Sequence, residues 1–232
     1  MNSTEIRPRG FQVLPPVIKN LLIINGLLWL AQITVGRDLV DLEDLLALHY
    51  VASDYYHPWQ FVTYMFLHDP GSFFHILFNM FALWMFGSTL ENLWGTKRFL
   101  TFYLICGIGA AFVHMGALWY DIQKLEPLFS RGYISPEMYY GQLNIPTMGA
   151  SGAVMGIFAA FAYTFPNSKL LILPIPFPIK AKYAMMGLIA FDLIGGISSR
   201  SSGVAHFAHV GGALVGIVLL MIWNRRNRRT FY

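Results

Sequence analysis

Gly149-Ala-Ser151-Gly152-Ala-Val-Met155-Gly156-Ile-Phe-Ala-Ala-Phe-Ala-Tyr-Thr-Phe165 is an apolar run that opens on a serine. Read as a helix in hydrocarbon, it sets the Ser151 hydroxyl in the first turn. There the backbone N–H groups lack intrahelical partners and the positive end of the macrodipole stabilises developing negative charge. A serine further along would hydrogen-bond back to its own helix; at this place it suits a nucleophile. Gly-x-Ser-Gly also serves as a plain close-packing surface between membrane helices, so the rest of the chain must decide.

Composition sets the class. Of 232 residues, 56% are hydrophobic and 12% charged, and the mean hydropathy is +0.50. That is too apolar for a soluble domain of this length and describes an all-α polytopic membrane protein. The single cysteine, Cys106, can form no intramolecular disulfide and lies among apolar residues, where it reads as packing. Arg7, Arg9 and Lys19 lead into a first apolar segment without an Ala-x-Ala end, so this segment is expected to stay as an anchor.

Runs long enough to cross about 30 Å of hydrocarbon give six expected spans: Val17 to Val35, Phe73 to Leu93, Phe99 to Tyr120, Gly149 to Phe165, Tyr183 to Ile197 and Val204 to Trp223. The expected organisation is a cytoplasmic segment over 1–16, a six-span membrane domain over 17–224 and a basic cytoplasmic tail over 225–232. Basic clusters orient it: Arg7, Arg9 and Lys19; Lys97 and Arg98; Lys169, Lys180 and Lys182; Arg225, Arg226, Arg228 and Arg229. All fall on one side, which the positive-inside rule makes cytoplasmic, with both termini. Asp38, Asp41, Glu43 and Asp44, then Asp121, Glu126 and Glu137, face outward. The pI near 9.2 reflects this topology, and no nucleic-acid partner is implied.

Two connections stand out. Leu39, Leu42, Leu45 and Leu46 recur at helical spacing opposite acidic positions, followed by Tyr55, Tyr56, Trp59 and Phe61. This predicts an amphipathic segment in a membrane-dipping outer loop. Pro174, Pro176 and Pro178 interrupt another apolar stretch and predict an extended turn at the cytoplasmic surface.

The polar residues inside the spans share one depth. His75 and Asn79 stand one turn apart near the outer end of the second span, Ser151 at the outer end of the fourth, and His209 about two turns inside the outer end of the sixth. Such groups are costly in hydrocarbon, so matched depth on three helices argues for a shared site. Gly152 and Gly156, with Gly212 and Gly216, make two small-xxx-small seams that would let the fourth and sixth helices approach until Ser151 meets a histidine. At about 100° per residue, His209 projects within roughly 20° of Gly216, whereas His206 is displaced by roughly 80°. The seam therefore favours His209. As general base it would be worth roughly 10²- to 10⁴-fold in rate. His75, Asn79 and the Ser151 N–H supply candidate donors to an oxyanion. No carboxylate is evident to orient the histidine.

At this point the chain resembles rhomboid intramembrane serine proteases: in His75-Ile-Leu-Phe-Asn79, in Gly149-Ala-Ser151-Gly152, and in Ala208-His209-Val-Gly211-Gly212 followed by Gly216. Motif order, six spans, a membrane-dipping outer loop, and Glu91 with Gly95 closing the second span match the same pattern. The resemblance implies Ser151 as nucleophile, His209 as base, and His75 and Asn79 lining the oxyanion hole. His68 resembles a further family histidine, with Asp69-Pro70-Gly71 inserted after it. Two positions depart from the pattern: Trp59-Gln60 stands where many bacterial relatives carry Trp-Arg, and Met155 where an aromatic stacks on the histidine.

The expected function is an intramembrane serine endopeptidase acting on membrane-anchored protein substrates near the outer face of the lipid bilayer, without cofactor or metal, in the plasma (inner) membrane of a bacterium. The alternative is a non-proteolytic rhomboid-like protein that binds client transmembrane helices. A metalloprotease would want His-Glu-x-x-His, which is absent, and an aspartyl protease two aspartates, whereas only Asp192 sits clearly inside a span. A transporter is disfavoured because the polar residues cluster near one face.

Overall fold

The computed structural model describes residues 10–35, 40–172, 176–198 and 205–227, with 226 and 227 described by their backbone only. Arg7, Arg9, Asp38, Leu39, Pro174, Val204, Arg228 and Arg229, and the side chain of Arg226, lie outside this range.

Helices α1 (Pro16–Thr34), α4 (Phe73–Trp94), α5 (Thr96–Ser130), α8 (Ala181–Ser198) and α9 (His206–Asn227) are long and apolar enough to cross a bilayer; α7 (Ser151–Thr164) is a shorter apolar helix. Short helices α2 (Leu42–Leu46) and α3 (Gln60–Thr63), the latter running into a 3-10 turn at Tyr64–Phe66, shape the loop between α1 and α4. Helix α6 (Pro136–Leu143) follows α5. The chain is thus an all-α, multi-pass integral membrane protein.

Helix α7 occupies the centre, packed on α4, α5, α8 and α9, and every residue from Gly152 to Ala162 is buried. Its 14 residues span only about 21 Å, short of the roughly 30 Å of hydrocarbon. A helix walled in by its neighbours has no need to match the bilayer.

The expected third span ended at Tyr120, yet α5 continues to Ser130 over 35 residues. Hydropathy marks where lipid ends, and Lys124 and Glu126 are good enough helix formers to help carry the helix beyond it. The proline-rich connection is an antiparallel pairing of β1 (Lys169–Leu170) with β2 (Ile179–Lys180), Lys169 opposite Lys180, and Pro176 and Pro178 lie between the strands. Proline lacks the N–H a helix needs there.

Helix α1 starts with Pro16 and has no side-chain cap of its own. Its orphan N–H groups are met from α4: the Glu91 carboxylate accepts from Val17 N–H at 3.0 Å and Ile18 N–H at 2.9 Å, and from the Thr96 hydroxyl at 3.2 Å. Gly95 joins α4 to α5 at φ +81°, a conformation that disfavours any side chain. Glu91 and Gly95 are therefore structural.

The loop between α1 and α4, expected to face outward, is organised by two side chains. Asp41 caps α2, its Oδ1 accepting from Glu43 N–H at 2.9 Å and Asp44 N–H at 3.2 Å. Gln60 is fully buried. Its Oε1 accepts from His49 N–H (3.2 Å) and His57 N–H (3.1 Å), and its Nε2 donates to the carbonyls of Asp44 (3.0 Å) and Tyr55 (2.8 Å). A neutral amide presents donors and acceptors together, so Gln60 satisfies both kinds of backbone group at once. The loop reaches the site through Leu48 and Thr147, which exchange both N–H to carbonyl bonds at 2.9 Å.

Candidate active site

Ser151 is the first residue of α7, and the earliest backbone bond of that helix runs from Val154 N–H to the Ala150 carbonyl. The N–H groups of Ser151, Gly152 and Ala153 thus precede the ladder. Just upstream, Gly149 has φ +133°, and its N–H donates to the Tyr64 carbonyl at 3.0 Å. The loop turns sharply there into the helix.

Glycines bring α7 and α9 together. A β-carbon on Gly212 would overlap the Gly152 carbonyl, one on Gly216 would stand 2.8 Å from the Gly156 oxygen, and one on Gly156 would stand 2.9 Å from the Gly212 oxygen. At this separation the Ser151 hydroxyl donates to His209 Nε2 at 2.8 Å.

The other imidazole nitrogen of His209 has a partner that sequence reading missed. Its Nδ1–H donates to Asp192 Oδ1, on α8, at 3.0 Å. This corrects the expectation that no carboxylate orients the histidine. The bond to a carboxylate assigns the proton to Nδ1 and leaves Nε2 as the acceptor facing Ser151. Asp192 lies six residues before the end of α8 at Ser198, about 9 Å in along the helix. The signal was available: an isolated aspartate in a span requires a partner, and histidines at similar depth are candidates. The same Oδ1 accepts from His206 Nδ1–H at 2.8 Å, while His209 is the histidine that meets Ser151.

On α4, His75 stands beside the Gly149 turn, where a β-carbon on Gly149 would lie 3.0 Å from its Nε2. Asp69 N–H donates to His75 Nδ1 at 3.3 Å, so a neutral ring carries its hydrogen on Nε2, toward Gly149 and Ser151. Asn79, buried one turn further on, donates one amide hydrogen to the His75 carbonyl at 2.9 Å. His68 packs edge-on against His75, ring centroids 5.2 Å apart; its backbone N–H donates to Gln32 Oε1 of α1 at 3.1 Å. Also unforeseen is His114 on α5, whose Nε2 shares a 2.8 Å hydrogen bond with the Thr147 hydroxyl. Met155 is buried, and the polar contacts of His209 among the described residues are to Ser151 and Asp192.

A hydroxyl bonded to an imidazole that is bonded in turn to a carboxylate is an arrangement able to transfer the serine proton as the oxygen attacks a carbonyl carbon. The model of the family described as "Rhomboid domain" matches residues 56–226, which includes all of these groups except Gln32. The chain belongs to the rhomboid family. This rhomboid is 32% identical over 146 residues to rhomboid protein 1, mitochondrial, of Saccharomyces cerevisiae, covering 63% of this chain and 37% of that one. It is 32% identical over 164 residues to rhomboid protease AarA of Providencia stuartii, covering 69% and 54%. It is 32% identical over 161 residues to the human presenilin-associated rhomboid-like protein, mitochondrial, covering 67% and 37%. The matched stretch therefore spans between about a third and about a half of the length of these relatives.

Proposed function

We propose that this rhomboid is an intramembrane serine endopeptidase that cleaves transmembrane substrates near the outer face of the bilayer. The observation that carries this reading is the continuous chain Ser151 Oγ, His209 Nε2, His209 Nδ1, Asp192 Oδ1, with links of 2.8 and 3.0 Å. In the first half-reaction Ser151 Oγ attacks the scissile carbonyl carbon and its proton passes to His209 Nε2. The oxyanion so formed is met by the Ser151 N–H, His75 Nε2–H and the remaining Asn79 amide hydrogen. His209 then gives its proton to the leaving nitrogen, the C–N bond breaks, and an acyl-serine remains. Water attacks that ester, losing a proton to His209 Nε2; the C–O bond breaks, and Ser151 Oγ recovers the proton. Asp192 keeps the imidazole in the required tautomer and stabilises it while charged.

The position of Ser151 at the first turn of α7, the helix end that the positive-inside reading turns outward, supports cleavage near the outer membrane boundary. A substrate helix must unwind there, since its amides are otherwise hydrogen-bonded and shielded, so helix-weakening Gly or Pro near the scissile bond should favour cleavage. The proposal includes the membrane domain over 17–224 between cytoplasmic segments 1–16 and 225–232. The proposed location is the inner membrane of a bacterium; fractionation tests it, and two of the three relatives above carry mitochondrial names.

The test is incubation of the purified protein in liposomes with a panel of single-span substrates, beside its Ser151→Ala variant. Cleavage by the wild type and none by the folded variant supports the proposal. Binding of those substrates without cleavage by the wild type would instead favour the client-binding alternative.

A further inference from the structure

We infer that His206 is a positioning residue for catalysis, acting through Asp192; this rests on the protease reading and extends it from three groups to four. Asp192 is only 4% exposed and lies within a span, where a carboxylate needs donors to replace water. Both histidines donate to its Oδ1, His206 at the shorter distance. Their tasks differ. His209 changes protonation state twice in each half-reaction, and its bond to Asp192 alters in strength each time. A carboxylate held by His209 alone would be free to turn about its own side-chain torsions whenever that bond weakens. The contact of His206 with Asp192 does not depend on the proton that His209 exchanges with Ser151, so it holds the carboxylate in place throughout.

The surroundings of His206 suit such a fixed role. It is the first residue of α9, 5% exposed, with the Phe191 ring set edge-on at 6.0 Å and an interplanar angle of 71°. Its ring occupies space left by Gly195 on α8, where a β-carbon would come within 2.6 Å of His206 Cε1 and 2.7 Å of Nε2. The site thus asks residue 206 for a held N–H donor at the δ position. It does not ask for a base. Asparagine offers a donor at the same position without titrating.

The experiment measures kcat and KM on a single-span substrate in liposomes, normalised by active-site titration, together with the rate of Ser151 labelling by a fluorophosphonate. His206→Ala should lower kcat per titrated site about tenfold, less than the roughly 10²-fold that a 1 Å misplacement of catalytic groups can cost. KM should stay within about twofold, labelling should slow in proportion to kcat, and His206→Asn should restore most of both rates. Gly195→Ala, which displaces the ring, should reproduce the kcat loss and keeps the inference testable if His206→Ala fails to fold. A merely structural role would reduce the titratable fraction and leave kcat per site unchanged. That result, or a His206→Asn variant as slow as His206→Ala, overturns the inference. Wild-type protein that cleaves while His206→Ala matches it refutes only the role of His206; wild-type protein that cleaves nothing refutes the protease reading itself.

Discussion

Gly212 of α9 lies so close to the Gly152 carbonyl of α7 that a β-carbon on Gly212 would overlap it. His209 stands one turn before Gly212 on α9, and Ser151 immediately before Gly152 on α7, so this backbone contact sets the distance between the two side chains. The 2.8 Å hydrogen bond is in this sense a product of helix packing. Small residues are what allow two membrane helices to approach this far.

Gly212→Ala should therefore separate base from nucleophile as well as strain the interface. Overpacking of this kind costs about 1–3 kcal/mol. Thermal unfolding in detergent should show the destabilisation, and fluorophosphonate labelling of Ser151 should be lost or severely slowed. Labelling at the wild-type rate would mean that the glycine contact does not control the site.

Much of this was legible in the sequence, and the reasons are physical. Lipid imposes a length and an apolar composition on each span, which is why the limits of α1, α4, α8 and α9 could be read to within a few residues. Helix geometry over the seven residues from His209 to Gly216 separated His209 from His206. What could not be read depends on which helices touch. Asp192 comes from α8, and no periodicity within α8 or α9 reveals that they share a carboxylate; the rule that a charge in hydrocarbon needs a partner names a need without naming the partner. Gln60 was noted as a departure from Trp-Arg. Its four backbone partners lie between Asp44 and His57, a folded loop without repeating pattern, so its role emerges only in three dimensions.

Gln60→Ala should uncouple the outer loop. Each buried backbone group left unsatisfied costs about 1–3 kcal/mol, reduced where water can enter. The variant should unfold at lower temperature and become more susceptible to proteolysis between Asp44 and His57. Unchanged melting and protease resistance would show that the amide is dispensable.

Asp192→Asn preserves shape while removing the charge that selects the His209 tautomer. Loss of the corresponding carboxylate in a serine protease triad can cost about 10⁴ in kcat, and a drop of at least roughly 10²-fold is expected here, with KM little changed. Steady-state kinetics on a single-span substrate decide the matter. A kcat near wild type would mean that Ser151 and His209 suffice as a pair.

Asn79→Ala should act on kcat far more than on KM, because an oxyanion donor meets charge that exists mainly in the transition state. The expected loss is about 10²- to 10³-fold. If KM alone rises, Asn79 contributes to substrate binding and the oxyanion donors are His75 and the Ser151 N–H.

The outer loop should also make stability fall at acidic pH through His49. Its ring is fully buried and Nε2 has no hydrogen-bond partner among the described residues, while Nδ1–H donates to the Ala47 carbonyl at 3.2 Å. Burial lowers its pKa below the usual 6.5, against the smaller opposing effects of the Ala47 hydrogen bond and the nearby Asp44 charge. The sign follows from proton counting. Below about pH 6.5 the unfolded chain takes up a proton at His49 that the native loop resists, so stability is full above that pH and declines as the pH falls toward the native value. His49→Asn keeps a donor for the Ala47 carbonyl and cannot titrate. Between pH 7.5 and pH 5.5 the melting temperature of the wild type should fall further than that of His49→Asn; the other buried histidines are common to both proteins, so the difference belongs to His49. Equal declines would show that His49 takes up its proton equally in the folded and unfolded chain, and the pH-sensitive element would lie elsewhere.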